Sequence, residues 1–474
     1  MSDWSAGKWR GKRVTIAGLG TFGGQVAAAR YFWDLGAEVT VTDKKAEDAL
    51  EGSLSELDGL PVRFVLGGHD EADFTRADLV VASPAVPESS PYLVAAEKAG
   101  VPITHEMDIF FDLCRADIVA VTGSNGKSTT AALLAHMLGK CPPRGSRRVW
   151  LGGNIGQSLL LTARDIGPQD VVVLELSSFQ LEDLGALKKS PHGAVVTNLS
   201  PNHLDRHVTF ENYAGAKRNI TLWQKEGDFL VLNADDANLA GWDETRARVR
   251  FFGTYGAERP DGVYVLGRSL VNVAEGREAR ADVPSGWKLM GVHNLMNLAT
   301  AAAAAVEAGA PFGRAVAAAG DFEPLPHRLE YVRTVRGVRF YNDSIATTPE
   351  SVEVALESFT EPVVLIAGGY DKGLDLVSFA ERAARRVKAL VVIGKTGSRI
   401  AEAALAERPD LAVLRGADFR GAIRAAFESA AGGDVVLLSP ACASFDMFNN
   451  FEERGDLFRR HVEELAAETE AASR

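Results

Sequence analysis

The sequence predicts an α/β protein of three domains in series, and three observations carry that reading. The chain has 474 residues, the length of about three ordinary domains, and its 46% hydrophobic and 24% charged residues match a globular chain. Short apolar runs alternate with helix-like stretches, the rhythm of parallel sheets covered by helices. The segment FEPLPHRLE, with two prolines, separates off the last third and reads as a hinge.

The first third places strands at 14–17, 39–42 and 79–82 and helical stretches at 24–35 and 92–99. A second unit opens on a strand at 118–121 and runs through strands at 171–174, 194–198 and 229–233. The polar, glycine-rich stretch 253–286 alternates weakly and reads as hairpins or edge strands, and an alanine-rich helix follows over 294–308. Beyond the hinge, strands at 363–367, 389–393 and 435–439 form a third unit. The expected domains are 1–115, 116–325 and 326–474, without internal repeats.

Composition excludes several classes. The N-terminal residues are basic but lack the apolar stretch of a signal peptide, and the most apolar later run, 298–306, stops at Glu307, so a cytoplasmic protein without membrane insertion is expected. Cys114, Cys141 and Cys442 are odd in number and far apart, which argues against both disulfides and a zinc site. A net charge of -12 without a long basic run disfavours nucleic acid as a partner.

The chemistry starts at the strand 118–121, which TGSNGKST and a helical pattern over 129–138, ended by Gly139, follow. Glycines let backbone amides turn toward phosphate oxygens, and the helix start adds its positive dipole end. Lys127 can reach terminal phosphates and the Ser128 hydroxyl can bind Mg2+. Val121 stands where the first glycine of the usual loop would be. The alternative is an ordinary turn before a helix, but the pattern points to ATP and to a central P-loop ATPase domain.

Upstream, the strand 14–17 leads into GLGTFG, and about twenty residues on a strand ends in Asp43. This fingerprint marks a Rossmann-like N-terminal domain whose backbone approaches a pyrophosphate while an acid meets a ribose. NAD has both groups, and so has UDP. Downstream, the buried-looking strand VVVL ends in Glu175, within ELSSFQLE, and NLSPNHLDRH follows the next strand, bringing Glu175 and His203 toward the carboxyl ends where open sheets place ligands. His203 alone reads equally as a cap or surface residue. Lys217, in YAGAKRNI, reads by spacing as a solvated surface charge on a helix.

In order, TGSNGKST, GGNIG, ELSSFQLE, NHLDRH, YAGAK, HNLMN, HRLE, GGYDKG and SPACASFDMFNNFEERG resemble the motifs of the Mur ligases over nearly the whole chain. Within that family, ELSSFQLE and SPACASFDMFNNFEERG are most similar to the branch that adds glutamate to UDP-N-acetylmuramoyl-L-alanine in peptidoglycan synthesis. The resemblance implies a monomeric ADP-forming ligase with a UDP-substrate-binding first domain, an ATP-binding second and a Rossmann-like, amino-acid-binding third. ATP would phosphorylate the sugar-linked carboxylate, and the amine of glutamate would displace phosphate. By motif, the ATP side comprises Gly123, Asn125, Gly126, Lys127, Ser128, Thr129, Asn294, Asn297, Arg328 and Asp343, the last two from the third domain. Mg2+, at two positions, falls to Ser128, Glu175, His203 and Lys217, the lysine as a carbamate. The UDP side takes Gly18, Gly20, Thr21, Asp43, Lys44, Ser83 and Asn154, and glutamate takes Thr347, Lys372, Ser444 and Phe451.

One departure stands out. Where the family has Asn-Asp-Ser-Lys-Ala-Thr-Asn, this chain has NDSIATT, with Ile345 replacing a lysine beside the amino-acid site. D-glutamate is the expected acceptor, with L-glutamate the alternative, and Lys372 or Arg339 the candidate replacement cation. Other readings are a folylpolyglutamate synthase or another Mur ligase, distinguished by the run 442–454; an NAD-dependent oxidoreductase, which leaves TGSNGKST unexplained; and a non-catalytic relic, against which Lys127, Glu175, His203 and Lys217 are all retained.

Overall fold

A computed structural model describes residues 4–472 apart from Phe22, Arg144 and Ser146, so Phe22 of GLGTFG lies outside the described residues, as do the side chains of Ala6, Asp205 and Ala472. The chain forms two compact units: Met1–Trp287 with Met296–Phe322, and Lys288–Leu295 with Glu323–Arg474.

The first unit holds two sheets among its described residues. One is a five-stranded parallel sheet in the order Arg63–Leu66, Glu38–Asp43, Arg13–Ala17, Leu79–Ala82, Ile103–His105. Val14, Ile16, Val39 and Val41 are buried with Phe32 of the helix Gly24–Asp34, which explains why these strands read as unbroken apolar runs. Strand order reverses at Arg13–Ala17, so the loops leaving Ala17 and Ala82 face each other across the crevice where such sheets hold ligands.

The other sheet has nine strands. Val149–Gly153, Val171–Glu175, Asp117–Thr122, Gly193–Val196, Phe229–Asn233, Arg248–Thr254 and Gly262–Leu266 run parallel, and Ser269–Ala274 and Arg277–Asp282 add an antiparallel edge. The polar stretch after Gly253 is thus the sheet's margin; its last strand is mostly exposed, which is why its alternation was weak. Two expectations need correction. The helix after the phosphate loop continues through Gly139 to Lys140, because one glycine costs a helix only about 1 kcal/mol, whereas Pro142 and Pro143 beyond it cannot continue it. The strand expected to reach residue 198 ends at Val196, since Thr197 and Asn198 bend away to hold the phosphate loop.

In the second unit the order is Glu330–Val335, Val338–Asn342, Val435–Leu438, Val363–Gly368, Ala389–Ile393, Ala412–Arg415, parallel except for the first pair. Leu365, Leu390 and Leu437 pack on one face, Val364, Val391 and Val436 on the other with Phe458 of the helix Phe451–Ala472. The hairpin 330–342 was missed because its charged, half-buried first strand follows directly from the prolines of the hinge segment. No helix of the described residues is long and apolar enough to cross a membrane.

Candidate functional site

The phosphate loop lies between the strand Asp117–Thr122 and the helix Lys127–Lys140. Gly123 has φ +142° and Gly126, the helix N-cap, φ +79°, conformations only glycine adopts cheaply. Space is equally tight: a Cβ on Gly123 would overlap Thr197 Oγ1, and one on Gly126 would overlap Asn297 Oδ1. The loop is pinned from the neighbouring strand's end. Asn125 N donates to Asn198 Oδ1 (2.9 Å), Ser124 N to the Asn198 carbonyl (2.9 Å), and Thr197 Oγ1 to the Asn125 carbonyl (2.6 Å). Lys127 Nζ donates to the Ser124 carbonyl at 3.0 Å, folded over the loop, and Thr129 is buried in the first turn of the helix beside Ser128.

Glu175 ends its strand 2% exposed. Asn154 Nδ2 approaches its Oε1 at 3.4 Å, while Oε2 is buried with no hydrogen-bond partner among the described residues. A buried carboxylate oxygen left open is costly unless a cation or proton meets it, so this position fits a divalent ion. Lys217, on the helix Phe210–Leu222, is also 2% exposed, which overturns its reading as a solvated surface charge. Its Nζ donates to Thr122 Oγ1 at 3.1 Å and sits 5.0 Å from the centre of the Tyr213 ring. Burial, and then Lys127, push its pKa well below the ordinary 10.5, with Glu175 opposing. A neutral amine is the form that can take up CO2. His203, with φ +52°, caps the short helix Leu204–His207, its ring edge-on to Phe179 at 5.2 Å.

Every residue expected on the UDP side lines one cavity of about 640 Å3: Gly18, Gly20, Thr21, Asp43, Lys44, Ser83 and Asn154, with His203 on the same wall. Asp43 accepts from Gly20 N (3.0 Å) and Lys45 N (2.8 Å), so it shapes the glycine loop it was expected to face a ribose beside. Gly18 permits the close approach of the two loops, since a Cβ there would stand 3.1 Å from Ser83 Cβ. Glu106 also lines this cavity, and the sequence reading missed it. It accepts from Ser158 Oγ, and burial raises its pKa to about 7. Its position just after the strand Ile103–His105 was the available signal.

Asn297 belongs to the first unit, where its Oδ1 meets Thr130 Oγ1 at 3.3 Å; Asn294, Arg328 and Asp343 belong to the second. There Asn294 Nδ2 donates to the Met290 carbonyl at 2.6 Å. Arg328 sits between His327 (φ +62°) and Leu329 (φ +44°), two left-handed residues that cost about 1–2 kcal/mol each. That turn is fastened by Asp343, whose carboxylate accepts from Leu329 N (3.1 Å) and Ser439 Oγ (2.7 Å); burial raises its pKa to about 7. On the amino-acid side, Ser444 is buried, Thr347 and Phe451 are half-buried, and Lys372 is exposed, 6.0 Å from the Phe445 ring. Arg339, the other candidate cation, pairs with Glu361 at 2.6 Å.

Three family models match the chain: a Mur ligase MurD-like N-terminal domain over residues 12–105, a Mur ligase middle domain over 121–305, and a Mur ligase glutamate ligase domain over 327–442. Two relatives are each named UDP-N-acetylmuramoylalanine--D-glutamate ligase. The one from Pelotomaculum thermopropionicum is 41% identical, covering 95% of this chain and 97% of the relative; that from a Roseiflexus species is 43% identical, covering 96% and 98%. Among solved structures, the UDP-N-acetylmuramate-alanine ligase MurC of Thermotoga maritima superposes with a TM-score of 0.63 at 21% identity, covering 96% of this chain and all of that one. That likeness speaks to the fold.

Proposed function

The chain belongs to the Mur ligase family, and from that premise we infer that it is the ATP-dependent, ADP-forming ligase that adds D-glutamate to UDP-N-acetylmuramoyl-L-alanine in the cytoplasm during peptidoglycan synthesis. The observation that carries this reading is the 41–43% identity to D-glutamate ligases over 95–96% of the chain. The oxidoreductase reading loses its basis, since the fingerprint glycines and Asp43 fit a UDP moiety as well as NAD.

In this reading each group has a task. The cavity beside Gly18 and Ser83 holds the UDP-sugar, and its wall at Asn154 and His203 directs the alanine carboxylate toward the phosphate loop. A carboxylate is a poor electrophile until one of its oxygens becomes a phosphate leaving group. ATP supplies that phosphoryl group, and the acyl phosphate formed is then attacked by the glutamate amine, releasing phosphate. Amides of the loop 123–126 and the ammonium of Lys127 neutralise charge during the transfer. Ser128, Glu175, His203 and a carbamylated Lys217 would hold Mg2+, which supplies Lewis-acid screening of the phosphates. Carbamylation turns a buried amine, whose cationic form burial and Lys127 disfavour, into an anion that, with the open oxygen of Glu175, suits a divalent ion. Asn294, Asn297, Arg328 and Asp343 serve ATP, and Thr347, Lys372, Ser444 and Phe451 hold glutamate, the exposed ammonium of Lys372 suiting a carboxylate.

The test is ADP release by purified protein with Mg2+, ATP and UDP-N-acetylmuramoyl-L-alanine, comparing D-glutamate, L-glutamate and no amino acid, with Lys127→Ala as control. Release that depends on D-glutamate supports the reading. Release with L-glutamate alone keeps the mechanism and reassigns the acceptor, and silence with both refutes it.

A further inference from the structure

Arg454 is the largest fully buried side chain in the described structure, with 0% of its surface exposed. An arginine rarely goes so deep without a carboxylate, yet among the described residues none pairs with it. Its donors meet oxygens of two separate segments. Nε donates to Ser344 Oγ (2.9 Å), Nη2 to the Ser344 carbonyl (2.7 Å), and Nη1 to the Cys442 carbonyl (3.1 Å). Ser344 Oγ in turn donates to the Phe451 carbonyl at 2.8 Å. One planar fork therefore ties the segment leaving the strand Val338–Asn342 to the segment following the strand Val435–Leu438, and, through one hydroxyl, to the start of the last helix.

Those segments carry Thr347, three residues beyond Ser344, and Ser444 and Phe451, both within the run Cys442–Arg454. We infer that Arg454 is a positioning residue for the incoming amino acid, fixing the distance between the 344–347 segment and the 442–451 segment so that both can grip one glutamate. The inference rests on the proposed function and deepens it. A fixed fork suits this task better than an ammonium, because three contacts to two segments are made from one rigid plane. Without it, the Ser344 and Cys442 carbonyls lose a charged donor, and the two segments lose their shared reference. Burial lowers the Arg454 pKa to about 10, which leaves it charged at neutral pH.

The experiment uses the full chain with Arg454→Lys and Ser344→Ala, measuring KM for glutamate, ATP and UDP-N-acetylmuramoyl-L-alanine, together with kcat and melting temperature. R454K keeps the charge and loses the fork, so its KM for glutamate is expected to rise about tenfold while the other two stay within about twofold. S344A cuts only the hydroxyl link and is expected to raise the glutamate KM about threefold, which keeps the inference testable if R454K does not fold. An unchanged glutamate KM in either folded variant, or a parallel rise in all three constants with a lowered melting temperature, would overturn it. Wild-type protein run alongside separates the two readings: no glutamate-dependent ADP release there refutes the proposed function itself.

Discussion

Replacing Asp343 with asparagine should stabilise this protein while reducing its activity. The carboxyl is 4% exposed, and burial raises its pKa from the ordinary 3.8 to about 7, against the lowering effects of Ser439, Leu329 N and Arg328. A carboxyl whose folded pKa is raised binds protons more tightly in the folded state. Its contribution is therefore fully present below pH 3.8 and is lost as pH rises to about 7, above which the loss is constant. Three tenfold steps in proton affinity at ~1.36 kcal/mol each give a folding penalty of ~4 kcal/mol at pH 8, and the single step reached by pH 5 gives ~1–2 kcal/mol. Asparagine removes that penalty and keeps one acceptor for Leu329 N, at a cost of ~1 kcal/mol for imperfect hydrogen bonding. The net gain is ~3 kcal/mol at pH 8 and less than ~1 kcal/mol at pH 5. For a unit the size of the second, at roughly 2–4 °C per kcal/mol, D343N should melt about 6–12 °C above wild type at pH 8 and about 1–2 °C above at pH 5. Thermal melts followed by circular dichroism at both pH values test this, with ADP release measured in parallel. A variant no more stable at pH 8 than at pH 5, relative to wild type, would refute the reasoning.

Gly126→Ala forces an alanine into φ +79° and its Cβ onto Asn297 Oδ1, so a stability loss of at least ~1–2 kcal/mol and a KM for ATP raised more than tenfold are expected; an unperturbed KM would show that the loop does not carry phosphate. Lys217→Met removes the amine but fills the same buried space, and should fold as well as wild type while losing ADP release. For wild type, activity should fall in CO2-free buffer and return with bicarbonate, and indifference to bicarbonate would rule out the carbamate. Ile345→Lys, assayed with both enantiomers, should lower the glutamate KM by several-fold; unchanged kinetics and preference would mean that position 345 does not face the acceptor.

The sequence alone determined the strands buried on both faces, because a run such as VVVL leaves no polar face to expose, and with them the carboxyl-end positions of Glu175 and Asp43. It also determined the phosphate loop, whose glycines are demanded by backbone angle as much as by ligand. Charged, half-buried elements were less legible: the hairpin 330–342 and the outer strands Arg63–Leu66 and Ala412–Arg415 expose part of one face, so apolar periodicity marks them weakly. Only the tertiary structure decided the fate of individual polar side chains. Lys217 reads in sequence as a solvated surface charge, yet it is buried, as is Arg454, because what surrounds them comes from strands and loops far away along the chain: Thr122 for the lysine, Ser344 and Cys442 for the arginine. Burial of a charge depends on partners brought from a distance, and local spacing holds no record of them.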